Sequence, residues 1–207
     1  MNWRSTMIVG AAVGGLVVAA DRVLSDDTTR GKPDAAEMQK KVEEAAKPAP
    51  EHQKLVDMAG TWDADVSMWM PAGAEGAQPE AIKSKGTATA KPILNGLWLD
   101  EEFRGEAHGK PFEGRTLLGY SKEKQKHFGL WMSSMQTTPE IVWGTADASG
   151  KTVTFEGDPV QCPMGTYTPR WIVRHDDADH MTFEHWAKFD GAPDYQKGVE
   201  IKYTRRK

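Results

Sequence analysis

The chain has 207 residues and a formal net charge of −4, with 39% hydrophobic and 9% aromatic residues. The balance is mildly acidic and no basic stripe runs along it, which argues against a nucleic-acid partner. The single cysteine, Cys162, excludes an intrachain disulfide and any zinc site built on several thiolates.

Residues 7–20 read MIVGAAVGGLVVAA, carry no charge and follow Arg4. The run is closer to the ~7–15 apolar residues of a signal-peptide core than to the ~20 of a spanning helix. Val18, Ala19 and Ala20 place small residues where a signal peptidase would cut. Residues 1–20 are therefore read as a signal peptide or a membrane anchor. The protein is expected to be exported to the periplasm or the extracellular space, or tethered to a membrane through residues 7–20.

Residues 21–49 form a flexible linker, rich in Asp, Lys, Glu, Ala and Pro and without aromatics. Within it, residues 34–47 hold strong helix formers behind Pro33 and Asp34, so the linker is expected to be part helical. Pro48 and Pro50 end that helix. Residues 51–58 predict a short helix with Leu55, Val56 and Met58 on one side, stopped at Gly60.

From Thr61 the period changes to two. Trp62, Ala64, Val66, Met68 and Met70 alternate with Asp63, Asp65 and Ser67 until Pro71-Ala72-Gly73 breaks the run. Similar runs follow at 82–90, 96–104, 111–120, 126–133, 140–145, 152–156, 169–175, 180–189 and 199–205. Turn signals lie between them, among them Asn95-Gly96, His108-Gly109, Ala148-Ser149-Gly150 and Asp190-Gly191. Residues 157–168 read as a long loop around Cys162. About ten short strands with no helix between them must pair antiparallel, and a sheet that large curls shut to remove its edges. Residues 50–207 are thus expected to be one all-β barrel domain.

Several segments resemble an uncharacterised bacterial family, domain-of-unknown-function family 1579. They are Pro50-Glu51-His52, Gly60-Thr61-Trp62, residues 93–99 (ILNGLWL), Pro111-Phe112-Glu113-Gly114, Leu118-Gly119-Tyr120, residues 131–135 (WMSSM) and residues 201–205 (IKYTR). The family brings no established activity to carry over. Gly60-Thr61-Trp62 also resembles the opening Gly-x-Trp of lipocalin-like (calycin) barrels. That resemblance implies that Trp62 closes one barrel end and that Arg205 or Arg206 packs across it as a structural plug.

Alternation places Leu97, Leu99, Glu101 and Phe103 on one inward face. It does the same for Phe112, Gly114, Thr116, Leu118 and Tyr120, for His127, Gly129, Trp131 and Ser133, and for Met181, Phe183, His185, Ala187 and Phe189. Glu101, His127 and His185 are polar residues on these apolar faces, and buried polar groups need a partner or a purpose. With Trp131, Phe183 and Tyr120 they are the candidate ligand-binding residues of a lumen; the bland alternative is internal hydrogen bonding at strand ends. His185 is also the residue type that ligates haem in nitrobindin-like barrels, but no proximal motif accompanies it. The Asp-rich stretch 175–180 lacks the Gly and final Glu of a calcium loop and reads as a hairpin turn. No nucleophile elbow or dinucleotide fingerprint is present.

The expected function is non-catalytic binding of a small apolar or amphipathic ligand in the barrel, without metal or cofactor. One alternative is an isomerase or hydrolase using Glu101 with His185. The other is a membrane-tethered structural or interaction module.

Overall fold

The computed structural model describes residues 34–69 and 80–207. The apolar segment 7–20, linker residues 21–33, Met70 and the Pro71-Ala72-Gly73 break lie outside the described residues. Helix α1 (Ala35–Ala45) occupies part of the expected linker and buries none of its side chains, as its thin apolar stripe dictates. Residues Lys41–Lys207 form one compact unit.

Helix α2 (Pro50–Asp57) starts on Pro50, whose fixed φ suits the first helical position. Ala49 has no side chain to cap the helix. Instead the Ala49 N–H donates to His52 Nδ1 at 2.9 Å, the contact a Glu or Gln makes in a capping box. His52 and Leu55 are its buried residues.

The strands are β1 (Gly60–Met68), β2 (Ile82–Ile93), β3 (Trp98–Ala107), β4 (Lys110–Ser121), β5 (Lys126–Ser133), β6 (Gln136–Ala146), β7 (Thr152–Gly157), β8 (Val160–Cys162), β9 (Gly165–His175), β10 (His180–Phe189) and β11 (Gln196–Arg205). They pair in the order β10-β11-β1-β2-β3-β4-β5-β6-β7-β9, and a β9–β10 pairing closes the ring. The result is a closed ten-strand antiparallel barrel, with β8 added to the edge of β9.

On β3 the inward set read by alternation is the occluded one. Leu99, Glu101 and Phe103 on β3 are buried, while Glu102 and Arg104 between and after them are exposed. Leu99 and Val142 are wholly buried, each a gain of about 1.5–3 kcal/mol over exposure. Gly114 makes room for an aromatic neighbour: a Cβ there would sit 1.9 Å from the Trp131 ring. On β11, Gly198 is the extra residue of a bulge, because His185 pairs with Val199 and Trp186 with Lys197. The bulge keeps Val199 on the His185 face.

Two segments depart from expectation. Residues 157–168 are not a loop: Cys162 pairs with Gly165 and Val160 with Tyr167, so they hold β8 and the start of β9. The Pro163-Met164-Gly165 turn, with φ 124° at Gly165, makes a hairpin too short to show a period. Strand β3 begins at Trp98 rather than Gly96, because Leu94 (φ 50°) and Asn95 (φ 60°) form a 3₁₀ turn ahead of it.

Candidate functional site

The barrel has two unlike ends. At the α2 end the lumen is filled. Trp62, Ala64, Leu118, Val153, Phe155 and Val173 are all buried there, with Leu55 and Met58 beneath them. A cavity of about 30 Å³ remains between Leu55, Met58, His127, Phe155, Val173 and His175, space for about one water. Burial lowers the pKa of both His127 and His175, since little around them repays the desolvation of an imidazolium.

Arg205 and Trp62 close this end. The Arg205 guanidinium carbon lies 4.1 Å from the Trp62 ring centre. Its Nη1 donates to Ala59 O at 2.6 Å, Nη2 to Asp57 O at 2.8 Å and Nε to Ala178 O at 3.0 Å. Two of these carbonyls lie at and just beyond the C-terminus of α2, where orphan acceptors and the helix dipole favour a cation. Trp62 Nε1 donates to Met58 O at 3.0 Å. Gly60 admits the arrangement: its φ is +134°, and a Cβ there would meet Arg205 Nη1 at 2.9 Å. Arg206 is not part of the plug; it pairs with Asp63 on the outer face.

At the far end several inward side chains keep part of their surface. Phe112, Trp131, Phe183, His185, Val199 and Ile201 are only half-buried. Here the wall itself is incomplete. The β6–β7 ladder starts at Val142↔Gly157, so residues 136–141 of β6 have no β7 residue opposite them. Glu140 spans this notch. It is 3% exposed and accepts from Tyr167 Oη at 2.5 Å, Trp171 Nε1 at 2.8 Å and His185 Nε2 at 3.2 Å. Burial pushes the Glu140 carboxyl upward, but these donors, His185 foremost, bring its pKa below the ordinary value. Burial, then the adjacent carboxylate, raises the Tyr167 hydroxyl. Glu140 is thus an ionised, fully partnered clamp that replaces the missing strand contacts.

The predicted site residues fall into three places. His127 and Tyr120 meet at the α2 end, rings 5.1 Å apart, with His52 edge-on to Tyr120 at 5.7 Å. Trp131, Phe183 and His185 line the far half, where Phe183 packs against Trp171 at 5.9 Å. Glu101 stands on β3 between them, buried, with one side-chain hydrogen bond, from Thr116 Oγ1 at 3.4 Å. Burial lifts its pKa to about 7. The structure therefore does not pair Glu101 with a histidine, as the enzyme alternative requires; the carboxylate that holds His185 is Glu140. That same bond occupies the Nε2 that a haem iron would need. Glu140, Tyr167, Trp171 and Tyr203 were not singled out from sequence, although Glu140 shares the inward parity of Val142.

Among the described residues no cluster of His, Cys, Asp or Glu is arranged to hold a metal. In the Asp-rich turn, Asp177 accepts from His180 Nδ1 at 2.9 Å and from the Asp179 N–H, and Asp176 pairs with Arg174. Cys162 is half-buried on β8 beside the cluster of Val160, Tyr167 and Ala187. A groove of about 390 Å³ runs outside the barrel across β2, β1 and β11. Its lysines are partnered across strands, Lys85 by the Asp65 carboxylate at 2.7 Å and Lys83 by the Ser67 hydroxyl at 2.6 Å, as on a solvated sheet face.

No curated protein matches the chain. Among solved structures it is similar to an S-type phycobiliprotein lyase, CPES, from Guillardia theta, with TM-score 0.53 and 10% identity over 80% of this chain and 97% of that one. A redesigned beta barrel matches with TM-score 0.36 and 15% identity over 79% and 96%. The lyase likeness is one of fold. A family model described as "Protein of unknown function (DUF1579)" matches residues 47–205, the whole barrel with its covering helix, and the chain belongs to that family.

Proposed function

We propose that the protein is an extracytoplasmic, non-catalytic binding protein that holds a small apolar or amphipathic molecule in the far half of its barrel. The observation that carries this reading is the contrast between the two halves of the lumen. Side chains at the α2 end are occluded, whereas Phe112, Trp131 and Phe183 face inward yet remain half-buried. Apolar and aromatic lining with a few placed polar groups is the composition of small-molecule sites. A phycobiliprotein lyase of the same fold supports a ligand-handling role for such a barrel. Glu140, with every donor around it engaged, supplies no free base, which favours binding over catalysis.

The test is to recover the protein from its host, extract small molecules from it for mass spectrometry, and titrate it with a hydrophobic fluorescent dye. Bound apolar molecules, and dye binding weakened by Trp131→Ala, support the reading. A protein with nothing extractable and no dye binding overturns it. The address rests on residues 7–20, as signal peptide or tether, and N-terminal sequencing checks it. A mature chain starting near Asp21, or a full-length chain in the membrane fraction, supports export or anchoring; a full-length chain in the cytosol overturns it.

A further inference from the structure

Two polar side chains stand in the apolar lumen without the partners that burial demands. Glu101 is 8% exposed and accepts one side-chain hydrogen bond, from Thr116 Oγ1 to one carboxyl oxygen at 3.4 Å. Tyr203 is 5% exposed, and its hydroxyl makes no hydrogen bond among the described residues. Buried groups of these kinds are normally paired. Among the described residues no fully occluded side-chain nitrogen or oxygen lacks a partner. The second Glu101 oxygen and Tyr203 Oη are therefore not fully occluded.

Their surroundings carry no charge. Glu101 projects beside Ala90 of β2 and Thr116 of β4, with Leu99 and Phe103 next on its own strand face. Tyr203 projects beside Ala64 of β1 and Met181 of β10. The two groups sense each other across the lumen: burial, then the Glu101 charge, raises the Tyr203 hydroxyl's pKa. We propose that Glu101, Thr116 and Tyr203 are a polar anchor inside the lumen that receives the uncharged oxygen of a carbonyl or hydroxyl head on an otherwise apolar ligand. This rests on the reading of the barrel as a binding site and names the chemistry of its ligand.

The choice of head follows from what the anchor offers. Tyr203 is a hydroxyl donor, and the Thr116 hydroxyl, already given to Glu101, holds that carboxyl in place. Burial keeps the Glu101 carboxyl protonated up to a pH of about 7, so it too donates. A carboxylate head would stand against Glu101 with no cation near. An ammonium head would need Glu101 ionised in apolar surroundings. An uncharged acceptor satisfies the donors with no buried charge.

The experiment uses the full chain at pH 6, with affinities for decane, 2-decanone and decylammonium read by displacement of a hydrophobic dye. Far-UV circular dichroism confirms that each variant folds. Wild type is expected to bind 2-decanone about tenfold more tightly than decane, the worth of a buried hydrogen bond. Tyr203→Phe, which keeps the ring, should remove most of that preference and leave decane unchanged, and Glu101→Gln should weaken the ketone less because an amide still donates. A ketone preference untouched by Tyr203→Phe overturns the anchor while the binding site stands. Decylammonium binding most tightly, and losing affinity in Glu101→Gln, overturns the uncharged head. If neither dye nor any probe binds wild type, it is the binding-site reading that falls, and the anchor with it.

Discussion

Trp62 and Arg205 face each other in the β1–β11 ladder, and the guanidinium stacks 4.1 Å above the indole while bonding three backbone carbonyls. One side chain thereby ties the C-terminal end of α2, the first strand, the last strand and the turn before β10. Arg205→Met should lower stability by about 2–4 kcal/mol, since charged hydrogen bonds and the cation–π contact go together. Arg205→Lys should recover only part, because an ammonium cannot fork to three carbonyls. Denaturant midpoints of the three proteins check this; equal midpoints would show the plug to be idle.

Glu140 holds together a wall that backbone hydrogen bonds do not complete. In Glu140→Gln one carboxylate oxygen becomes an NH₂ that cannot accept, so either Trp171 alone or Tyr167 and His185 together lose their acceptor. A loss of about 1–3 kcal/mol is expected. The folded pKa of Glu140 lies below its free value of 4.5, so this stabilisation is present above pH 4.5 and fades as acid protonates the folded carboxylate. Urea melts of wild type and variant should therefore differ at pH 7 and converge toward pH 3.

Glu101 acts in the opposite sense. Its folded pKa of about 7 lies above the free value of 4.5, so the folded state holds the extra proton in that interval. Its contribution is intact below pH 4.5 and is lost as pH rises through about 7. The shift corresponds to about 3 kcal/mol. Glu101→Gln should thus gain stability relative to wild type by about that amount between pH 4.5 and pH 8, measured as the difference between the two chemical melts.

The histidines under α2 set a further pH limit. Burial depresses the folded pKa of His127 and His175, so their neutral forms stabilise the fold above the free value near 6.5. That stability is lost as pH falls below 6.5 toward the folded values. His127→Phe should flatten the fall between pH 6.5 and 5, and hydrogen exchange should show α2 opening first in the wild type.

Gly114→Ala tests the close packing of the wall. Its Cβ would lie 1.9 Å from the Trp131 ring, so the ring must move into the lumen. A stability loss of about 1–3 kcal/mol is expected, and weaker dye binding should accompany it, because the displaced ring takes ligand space. Unchanged dye binding would place the ligand away from Trp131.

The helix before the first strand and the strand faces could be read from local pattern, and the role of Gly60-Thr61-Trp62 from its resemblance to the opening of lipocalin-like barrels. Turn residues and alternation act over a few positions, so the inward placement of Glu101, His127, Trp131, Phe183 and His185 needed no knowledge of which strand lies beside which. The β8 hairpin was hidden because three residues are too few to show a period, and its Pro and Gly look like a loop. Glu140 was hidden for another reason: nothing near it in the chain marks it, since its partners come from β9 and β10.

By itself the sequence determined an antiparallel all-β domain and its inward faces, and the resemblance to lipocalin-like barrels implied the residues that plug one end. Only the tertiary structure decided that β9 closes on β10, that His185 answers Glu140 rather than Glu101, that Arg205 and not Arg206 covers Trp62, and that the partly exposed inward side chains gather in the half away from α2. Side-chain direction has a period of two residues and is written locally. Which strands meet to complete the ring, the register between distant strands and the space left inside depend on contacts between residues far apart in the chain, which no local pattern encodes.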